Sequence, residues 1–122
     1  MRSLLEHSRR PDIVFCPSGR IDIGARAARQ LRLRRGDVID LAEEEGELYL
    51  YVRCRRPAGG RYEATVFPTN RRGFHFRTYS RALCASVLAM CGTDGAARLS
   101  TGEPELDAAY GTMLPVITRI LL

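Results

Sequence analysis

The sequence predicts a mainly β protein with two short helices, built from two copies of one unit that share a single β-barrel. Its 122 residues, of which 45% are apolar and 27% charged, have the size and composition of one ordinary globular domain. Short β-rich runs alternate with turn residues, and the order of elements in the first half recurs in the second. One core, or two small copies that share a core, is the limit for a chain of this length.

The first half is predicted to contain two strands, a helix and a hairpin. These elements span residues 12–16, 20–23, 25–33 for the helix, 38–41 and 47–52. The first two runs are β-rich or alternate with period two, and a glycine follows each of them. Residues 25–33 change to helical spacing, with Arg26, Arg29 and Arg32 on one stripe, and Gly36 follows the end of the helix.

The second half is predicted to repeat this order. Its elements span residues 63–67, 74–76, 80–90 for the helix, 96–100 and 113–121. Gly92 stops the helix, and the Pro-Ala-Gly-Gly stretch at 57–60 forms the joint between the copies. Alternation favours a place in the core or the barrel wall over a base-stacking role for five aromatic side chains, namely Tyr49, Tyr51, Phe74, Phe76 and Tyr79. The predicted division is an N-terminal arm at 1–11, a first copy at 12–56, a linker at 57–61 and a second copy at 62–122.

No targeting or membrane-spanning segment is predicted. Residues 1–7 contain two adjacent leucines, whereas a secretory signal needs an apolar run of about seven residues or more. The longest apolar-rich stretch, residues 83–91, is shorter than the roughly twenty residues that cross a bilayer. We therefore expect a cytoplasmic protein with no membrane partner.

Metal, cofactor and catalytic sites are not expected. The four cysteines include no C-x-x-C pair, so they are interpreted as small apolar residues in a reducing compartment. The two histidines, His7 and His75, lie in no Ser/His/Asp, Cys/His or H-E-x-x-H motif. The adjacent carboxylates of residues 43–47 do not converge on a cation without an enclosing loop. The protein is therefore predicted not to be an enzyme and to have no small-molecule substrate.

Charge is segregated along the chain. All 19 basic residues are arginines, and with 14 carboxylates they leave a net charge of +5. Residues 20–35 hold six arginines against one carboxylate, residues 37–47 hold six carboxylates, and residues 53–81 hold eight arginines against one carboxylate. Because the planar guanidinium binds phosphate through two parallel hydrogen bonds, this pattern is typical of a surface for a polyanion. A solvated arginine-rich face without a partner is the alternative from composition alone.

Residues 19–41 read GRIDIGARAARQLRLRRGDVIDL. This stretch resembles the AbrB/SpoVT/MazE swapped-hairpin, or looped-hinge helix, family. The pattern of that family is G-R-hydrophobic-x-I-P, a short helix with R-x-x-L-x-hydrophobic, then G-D and a β-hairpin. With its flanks the resemblance covers residues 12–52, about a third of the chain, and needs no gap across residues 19–41.

The resemblance implies a duplicated swapped-hairpin barrel, in which one chain supplies the two units that single-copy relatives obtain by dimerising. It also implies a DNA-binding transcription regulator or antitoxin that contacts DNA through arginines of the looped-hinge helix region. Arg20 and Arg29 fall where the family keeps DNA-contacting arginines. The full set of candidate DNA-binding residues, including those at comparable places in the second half, is Arg20, Arg26, Arg29, Arg34, Arg35, Arg71, Arg72, Arg77 and Arg81. DNA is the expected partner, and a homodimer or a protein partner stays open.

A non-catalytic interaction or structural barrel that has lost DNA binding is the alternative function. Three departures from the family pattern favour it. Gly24 replaces the usual proline, Ala28 occupies a helix position that is often basic, and residues 13–15 lack the basic residue common in DNA-binding members. The two functions differ in whether the arginines of both copies form one continuous face.

Overall fold

The computed structural model describes residues 10–60 and 62–120. These residues contain nine strands and two helices. They are β1 (Ile13–Phe15), β2 (Arg20–Ile23), α1 (Ala25–Gln30), β3 (Val38–Glu44), β4 (Glu47–Cys54), β5 (Phe67–Pro68), β6 (Phe76–Tyr79), α2 (Arg81–Cys91), β7 (Ala97–Thr101), β8 (Glu105–Asp107) and β9 (Gly111–Ile117). The predicted class, mainly β with two short helices, is confirmed. Residues 1–9 of the predicted arm, residue 61 of the predicted linker and residues 121–122 lie outside the described residues.

The strands form one antiparallel sheet that curls until its ends meet. Its order is β3-β4-β9-β7-β1-β2-β6-β5, with β8 added on β9. Residues 64–66, just before β5, bond to the start of β3: the Ile39 N–H donates to the Ala64 carbonyl at 3.0 Å, and the Val66 N–H donates to the Asp37 carbonyl at 2.8 Å. These bonds connect the segment just before β5 with the start of β3, so the curled sheet forms a barrel.

The pairings between the two halves of the chain follow a repeated scheme. The second strand of each half pairs with its counterpart, β2 with β6, and the last strand of each half does the same, β4 with β9. The first strand of one half pairs with the third of the other, β1 with β7 and residues 64–66 with β3. Each half therefore satisfies much of its backbone hydrogen bonding only through the other half.

The interior of the barrel is filled by alternate residues of the strands. Ile21 and Ile23 of β2 are buried, whereas Asp22 between them is half-buried on the outer face. The same alternation buries Leu48 and Leu50 of β4. Burial of each large apolar side chain contributes about 1.5–3 kcal/mol to folding, so this core is the main source of stability.

Helix α2 begins and ends close to its predicted limits. The Ser80 side chain accepts a hydrogen bond from the Leu83 N–H at 3.1 Å, and Gly92 adopts a left-handed conformation with φ of 66°. Cys84 and Leu88, which are about one helical turn apart, face the core. Across residues 10–60 and 62–120, no helix is long and apolar enough to cross a membrane.

Helix α1 is shorter than the predicted 25–33 and ends at Gln30. Arg32 adopts a left-handed φ of 53°, which takes the chain out of the helix. The Leu33 N–H still bonds the Ala28 carbonyl at 2.9 Å, so the residues after the helix form a tight turn against it. Periodicity alone cannot separate such a turn from a further helical turn.

The first hairpin of the second half differs from the prediction. The strand expected at 63–67 is interrupted because Ala64 has a positive φ of 63°. The strand expected at 74–76 lies further on, at β6, because a loop occupies the residues before it. In this loop the Asn70 side chain accepts a hydrogen bond from the Phe74 N–H at 3.1 Å. Phe74 is therefore a loop residue rather than a strand residue.

The C-terminal part contains one strand that the sequence pattern does not predict. This strand, β8, forms a hairpin with β9, in which Leu106 pairs with Thr112. Strand β9 itself starts at Gly111 and ends at Ile117, whereas the predicted strand spans 113–121. β9 lies between β4 and β7 and so connects the β3–β4 hairpin to the rest of the sheet.

Candidate nucleic-acid interface

The register of five adjacent strands aligns Arg98, Asp22 and Arg77 across the outer face of the barrel. We name this line of residues the polar row. Val14 of β1 pairs with Arg98 on one side and with Asp22 on the other, and Asp22 pairs in turn with Arg77. Arg77 then pairs with Phe67 of β5. Because directly paired residues in a sheet project from the same face, Arg77 and Arg98 share this face although they come from different strands.

Asp22 lies at the centre of this row and forms ion pairs with two arginines. Its carboxylate is 2.6 Å from Nε of Arg77 and 3.2 Å from Nε of Arg20. The pKa of Arg77 is raised above its usual value, chiefly by the hydrogen bond to Asp22. One carboxylate thus offsets part of the combined charge of the two guanidinium groups.

A groove of about 740 Å³ runs beside this row and along helix α1. Five arginines line it, namely Arg10, Arg26, Arg29, Arg77 and Arg98. Arg26 lies 3.5 Å from the buried Asp12 and 3.8 Å from Glu103, so its charge is partly paired. Arg29 is exposed, and no carboxylate of the described ranges lies within ion-pair distance of it. Arg29 is therefore available to a ligand.

Two smaller cavities continue this arginine-lined surface past the end of α1. The first shares Arg29 with the groove and adds Arg32 and Arg34. The second shares Arg32 and Arg34 with the first and adds Arg55 and Arg56. We name the whole surface the basic belt, and its arginines are Arg10, Arg26, Arg29, Arg32, Arg34, Arg55, Arg56, Arg77 and Arg98.

Four of the nine candidate DNA-binding residues belong to the basic belt. They are Arg26, Arg29, Arg34 and Arg77. Arg20 adjoins the belt through Asp22. The other four are exposed and line none of the three cavities, namely Arg35, Arg71, Arg72 and Arg81.

Arg98 is a belt residue that the candidate set missed although its strand carried a sequence signal. It lies between two buried residues, Ala97 and Leu99, in a strand with period-two alternation. Alternation places it on the outer face, but only the pairing of β7 with β1 puts it in the same row as Arg77. Arg32 lies on the predicted stripe with Arg26 and Arg29 but was not among the candidate residues, and Arg10, Arg55 and Arg56 carried no pattern that separated them from other arginines.

Six of the fourteen acidic residues lie elsewhere on the barrel. The end of the β3–β4 hairpin carries four of them and β8 carries two, namely Glu43, Glu44, Glu45, Glu47, Glu105 and Asp107. Tyr49 donates a hydrogen bond to Glu47 at 2.8 Å, and this bond is the largest of the causes that raise the pKa of Tyr49 to about 12. Strand β4 is four strands from β2 in the sheet order, so this acidic hairpin end lies away from the groove, which is itself lined by the carboxylates of Asp12 and Asp22. Within the described part of the chain, no group of three or more His, Cys, Asp or Glu side chains could hold a metal ion.

Two aromatic residues that were expected in the core or wall are exposed beside the arginines. Phe74 is 57% exposed because it lies in the loop before β6, and Tyr79 is 53% exposed on the outer face of β6. The prediction is wrong for Phe74 and correct for Phe76, which is buried. The ring of Tyr79 stacks on Phe67 with centroids 6.2 Å apart, so it contributes to the outer wall.

Comparison of the chain with protein-family models, with curated proteins and with solved structures finds no match.

Proposed function

We propose that this protein is a DNA-binding transcription regulator or antitoxin-like protein of the AbrB/SpoVT/MazE type, and that the basic belt contacts the duplex. The observation that carries the proposal is the continuity of the belt across both halves of the chain. Arg26 and Arg29 come from the first half, and Arg77 and Arg98 come from the second. Arginines of both halves thus meet in one groove, which gives a polyanion several phosphate contacts on a single surface.

The strand pairing is compatible with the family pattern found in residues 19–41. A swapped-hairpin barrel needs two units whose strands pair with one another, and β2–β6 and β4–β9 are pairings of that kind. On this proposal one chain supplies both units, so the duplex meets two non-identical half-sites. A duplicated chain would then recognise an asymmetric sequence, whereas a symmetric dimer recognises a palindrome.

The dimensions of the polar row suit a DNA groove. Arg98 and Arg77 are separated by three strand spacings, or about 14 Å at the usual distance between strands. The major groove of B-DNA is about 12 Å wide, so two long guanidinium side chains at this separation can reach the phosphates on both of its edges. Arg29, which has no carboxylate partner among the described residues, adds a further contact.

A protein-interaction barrel is the second candidate. The exposed rings of Phe74 and Tyr79 favour it, because aromatic and arginine side chains together are enriched at protein interfaces. Asp22 also favours it, since a carboxylate at the centre of the row repels phosphate. In this alternative the belt binds an acidic protein surface.

The proposal is tested by measuring binding to a mixed-sequence DNA duplex. Fluorescence polarisation measures this binding over a range of salt concentrations. Arg29→Gln and Arg98→Gln should each weaken binding and reduce the magnitude of the salt slope by about 0.9 for each phosphate that the variant no longer binds. Arg53→Gln is the matched control, because Arg53 is an exposed arginine of β4, four strands from β2. Arg55 is unsuitable as a control because it bonds the buried Asp37.

The outcomes separate the two candidates. Selective weakening in the two belt variants supports DNA binding through the belt. Equal weakening in all three variants indicates non-specific attraction of a polyanion. If the unaltered protein does not bind the duplex at low salt, DNA binding is wrong and the interaction barrel is preferred.

A further inference from the structure

A pocket of about 400 Å³ lies between α1 and the loop that precedes β6. Its lining is mostly apolar: Ala28, Leu33 and Phe76 are all more than nine-tenths buried and face it. Phe74 lines it from the loop, and Ala25, like Ala28, leaves space because its side chain is a single methyl group. Small-molecule sites usually enclose about 300–1,000 Å³, so this pocket has the size of a ligand site.

Three guanidinium groups border the apolar lining. They belong to Arg29, Arg32 and Arg34, whose side chains are exposed. Among the residues that the structure describes, no carboxylate lies within 4.0 Å of any of the three. An apolar lining with unpaired cations at its border is complementary to a ligand with an apolar body and an anionic group.

The turn that carries Arg32 and Arg34 is held in place by hydrogen bonds beneath it. The Arg55 guanidinium donates to the Leu31 carbonyl at 2.8 Å and to the Arg32 carbonyl at 2.9 Å. The Asp37 carboxylate accepts from the Arg34 N–H at 2.9 Å. Because this backbone is already ordered, a ligand has less conformational entropy to remove when it binds.

Phe74 is the most exposed of the apolar residues in the lining. The Asn70 side chain holds its backbone N–H at 3.1 Å, and a further bond joins the Gly73 N–H to the Asn70 carbonyl at 3.1 Å. The ring nevertheless stays 57% exposed. A ligand that covers this ring removes apolar surface from water, which favours binding.

We propose that this pocket binds a small aromatic anion, a carboxylate or a sulfonate. Its ring lies against Phe74 and Phe76, and its anionic group lies at Arg29, Arg32 and Arg34. An inorganic anion leaves the apolar lining exposed, and an uncharged aromatic compound leaves the cations without a partner. The geometry therefore favours a molecule with both features.

Arg29 connects this pocket to the groove of the basic belt, since it lines both. A bound anion competes with a polyanion for this guanidinium. Occupancy of the pocket should therefore weaken DNA binding. This regulatory step, unlike ligand binding itself, rests on the proposed function.

Ligand binding in the pocket is tested by titrating the full chain with anilinonaphthalene sulfonate. This aromatic anion becomes fluorescent when it is bound in an apolar site. Phenylnaphthylamine, which has the same aromatic skeleton without the sulfonate, is the neutral control probe. Arg34→Gln should weaken binding of the sulfonate about tenfold, the effect of one charge-assisted hydrogen bond, and leave the neutral probe unchanged. Phe74→Ala should weaken both probes.

Matched variants and a second measurement locate the binding. Arg53→Gln removes an exposed arginine and Tyr79→Ala an exposed aromatic residue outside the pocket, and neither should change binding of either probe. Backbone amide shifts of the unaltered protein, followed by NMR, should be confined to residues 25–34 and 73–76. Shifts spread over the barrel, or equal binding by Phe74→Ala, Arg34→Gln and the unaltered chain, would overturn the proposal. So would the absence of sulfonate binding.

A competition experiment addresses the regulatory step separately. Saturation with the sulfonate should lower the affinity for a DNA duplex, and this effect should disappear in Phe74→Ala. If the sulfonate binds and DNA affinity does not change, the shared use of Arg29 is wrong while the pocket stands. If the unaltered protein binds no DNA, the proposed function fails, and the direct titration still decides the pocket.

Discussion

The Arg55 guanidinium donates a 2.8 Å hydrogen bond to the carboxylate of Asp37, a side chain that is fully buried. The same guanidinium also donates to the carbonyls of Leu31 and Arg32, the two residues that follow α1. One side chain just after β4 thus holds the turn that follows α1 and neutralises the acidic residue just before β3. The buried carboxylate has its charge compensated, and the three elements are fixed relative to one another.

Arg55→Met should lower the free energy of unfolding by about 1.5–3 kcal/mol, because it leaves the Asp37 carboxylate buried without its charged partner. Methionine keeps the length of the apolar stem, so the change in stability reports the hydrogen bonds. Urea unfolding followed by circular dichroism measures it. Arg56→Met is the control, since Arg56 is an exposed neighbour with no ion pair to a described residue. Equal destabilisation by both variants would contradict a structural role for the Arg55–Asp37 pair.

A fragment of residues 1–56 should self-associate where the full chain does not. In the fragment β1, β2 and β4 are without their partners β7, β6 and β9, so strand edges and apolar surface are uncovered. Two fragments can replace these pairings by forming a dimer. Sedimentation velocity at several concentrations distinguishes the states. A folded, monomeric fragment would show that the halves do not depend on one another.

Asp22→Asn should tighten DNA binding if the basic belt contacts phosphate. The substitution preserves the shape of the side chain, removes one negative charge from the centre of the row and frees Arg20 and Arg77 from their ion pairs. We expect a steeper salt slope, by about 0.9 for each guanidinium that gains a phosphate. Fluorescence polarisation against salt concentration measures both quantities. Glu45→Gln, in the distant acidic turn, is the control that removes the same charge; if it strengthens binding equally, net charge alone accounts for the change.

Tyr49 should ionise near pH 12, above the ordinary value of about 10. Its hydroxyl donates to Glu47, and the protonated form is favoured in the folded state. Between these two pH values the folded protein holds a proton that the unfolded chain has released. The contribution of Tyr49 to stability is therefore complete below pH 10 and is lost as the pH rises through about 12.

The tyrosinate absorbance of the full chain, compared with that of Tyr49→Phe, isolates this titration. Glu47→Gln removes the carboxylate responsible for the largest cause of the shift, so the pKa of Tyr49 should move back toward its ordinary value. An unchanged titration in Glu47→Gln would show that burial and the other carboxylates maintain the raised pKa.

Local patterns in the sequence were sufficient for the elements whose information is local. The alternation of Ile21 and Ile23 with polar neighbours predicts β2, and Ser80 and Gly92 bound α2 where its caps form. The two arginine-rich blocks, at residues 20–35 and 53–81, are likewise visible in the sequence alone. These features depend on residues within a few positions of one another, so no knowledge of the fold is needed to find them.

Only the tertiary structure decided which arginines share a surface and which aromatic rings stay exposed. Asp22 and Arg77 are 55 residues apart, and they meet because β2 pairs with β6 in one register. Arg98 joins the same row through β7, and the loop before β6 leaves Phe74 outside the core. Hydrophobic periodicity gives the face of a strand but not its neighbour, because strand order and register are set by backbone pairing between distant segments. The barrel, and with it the basic belt and its pocket, therefore depends on contacts between the two halves that neither half's sequence specifies alone.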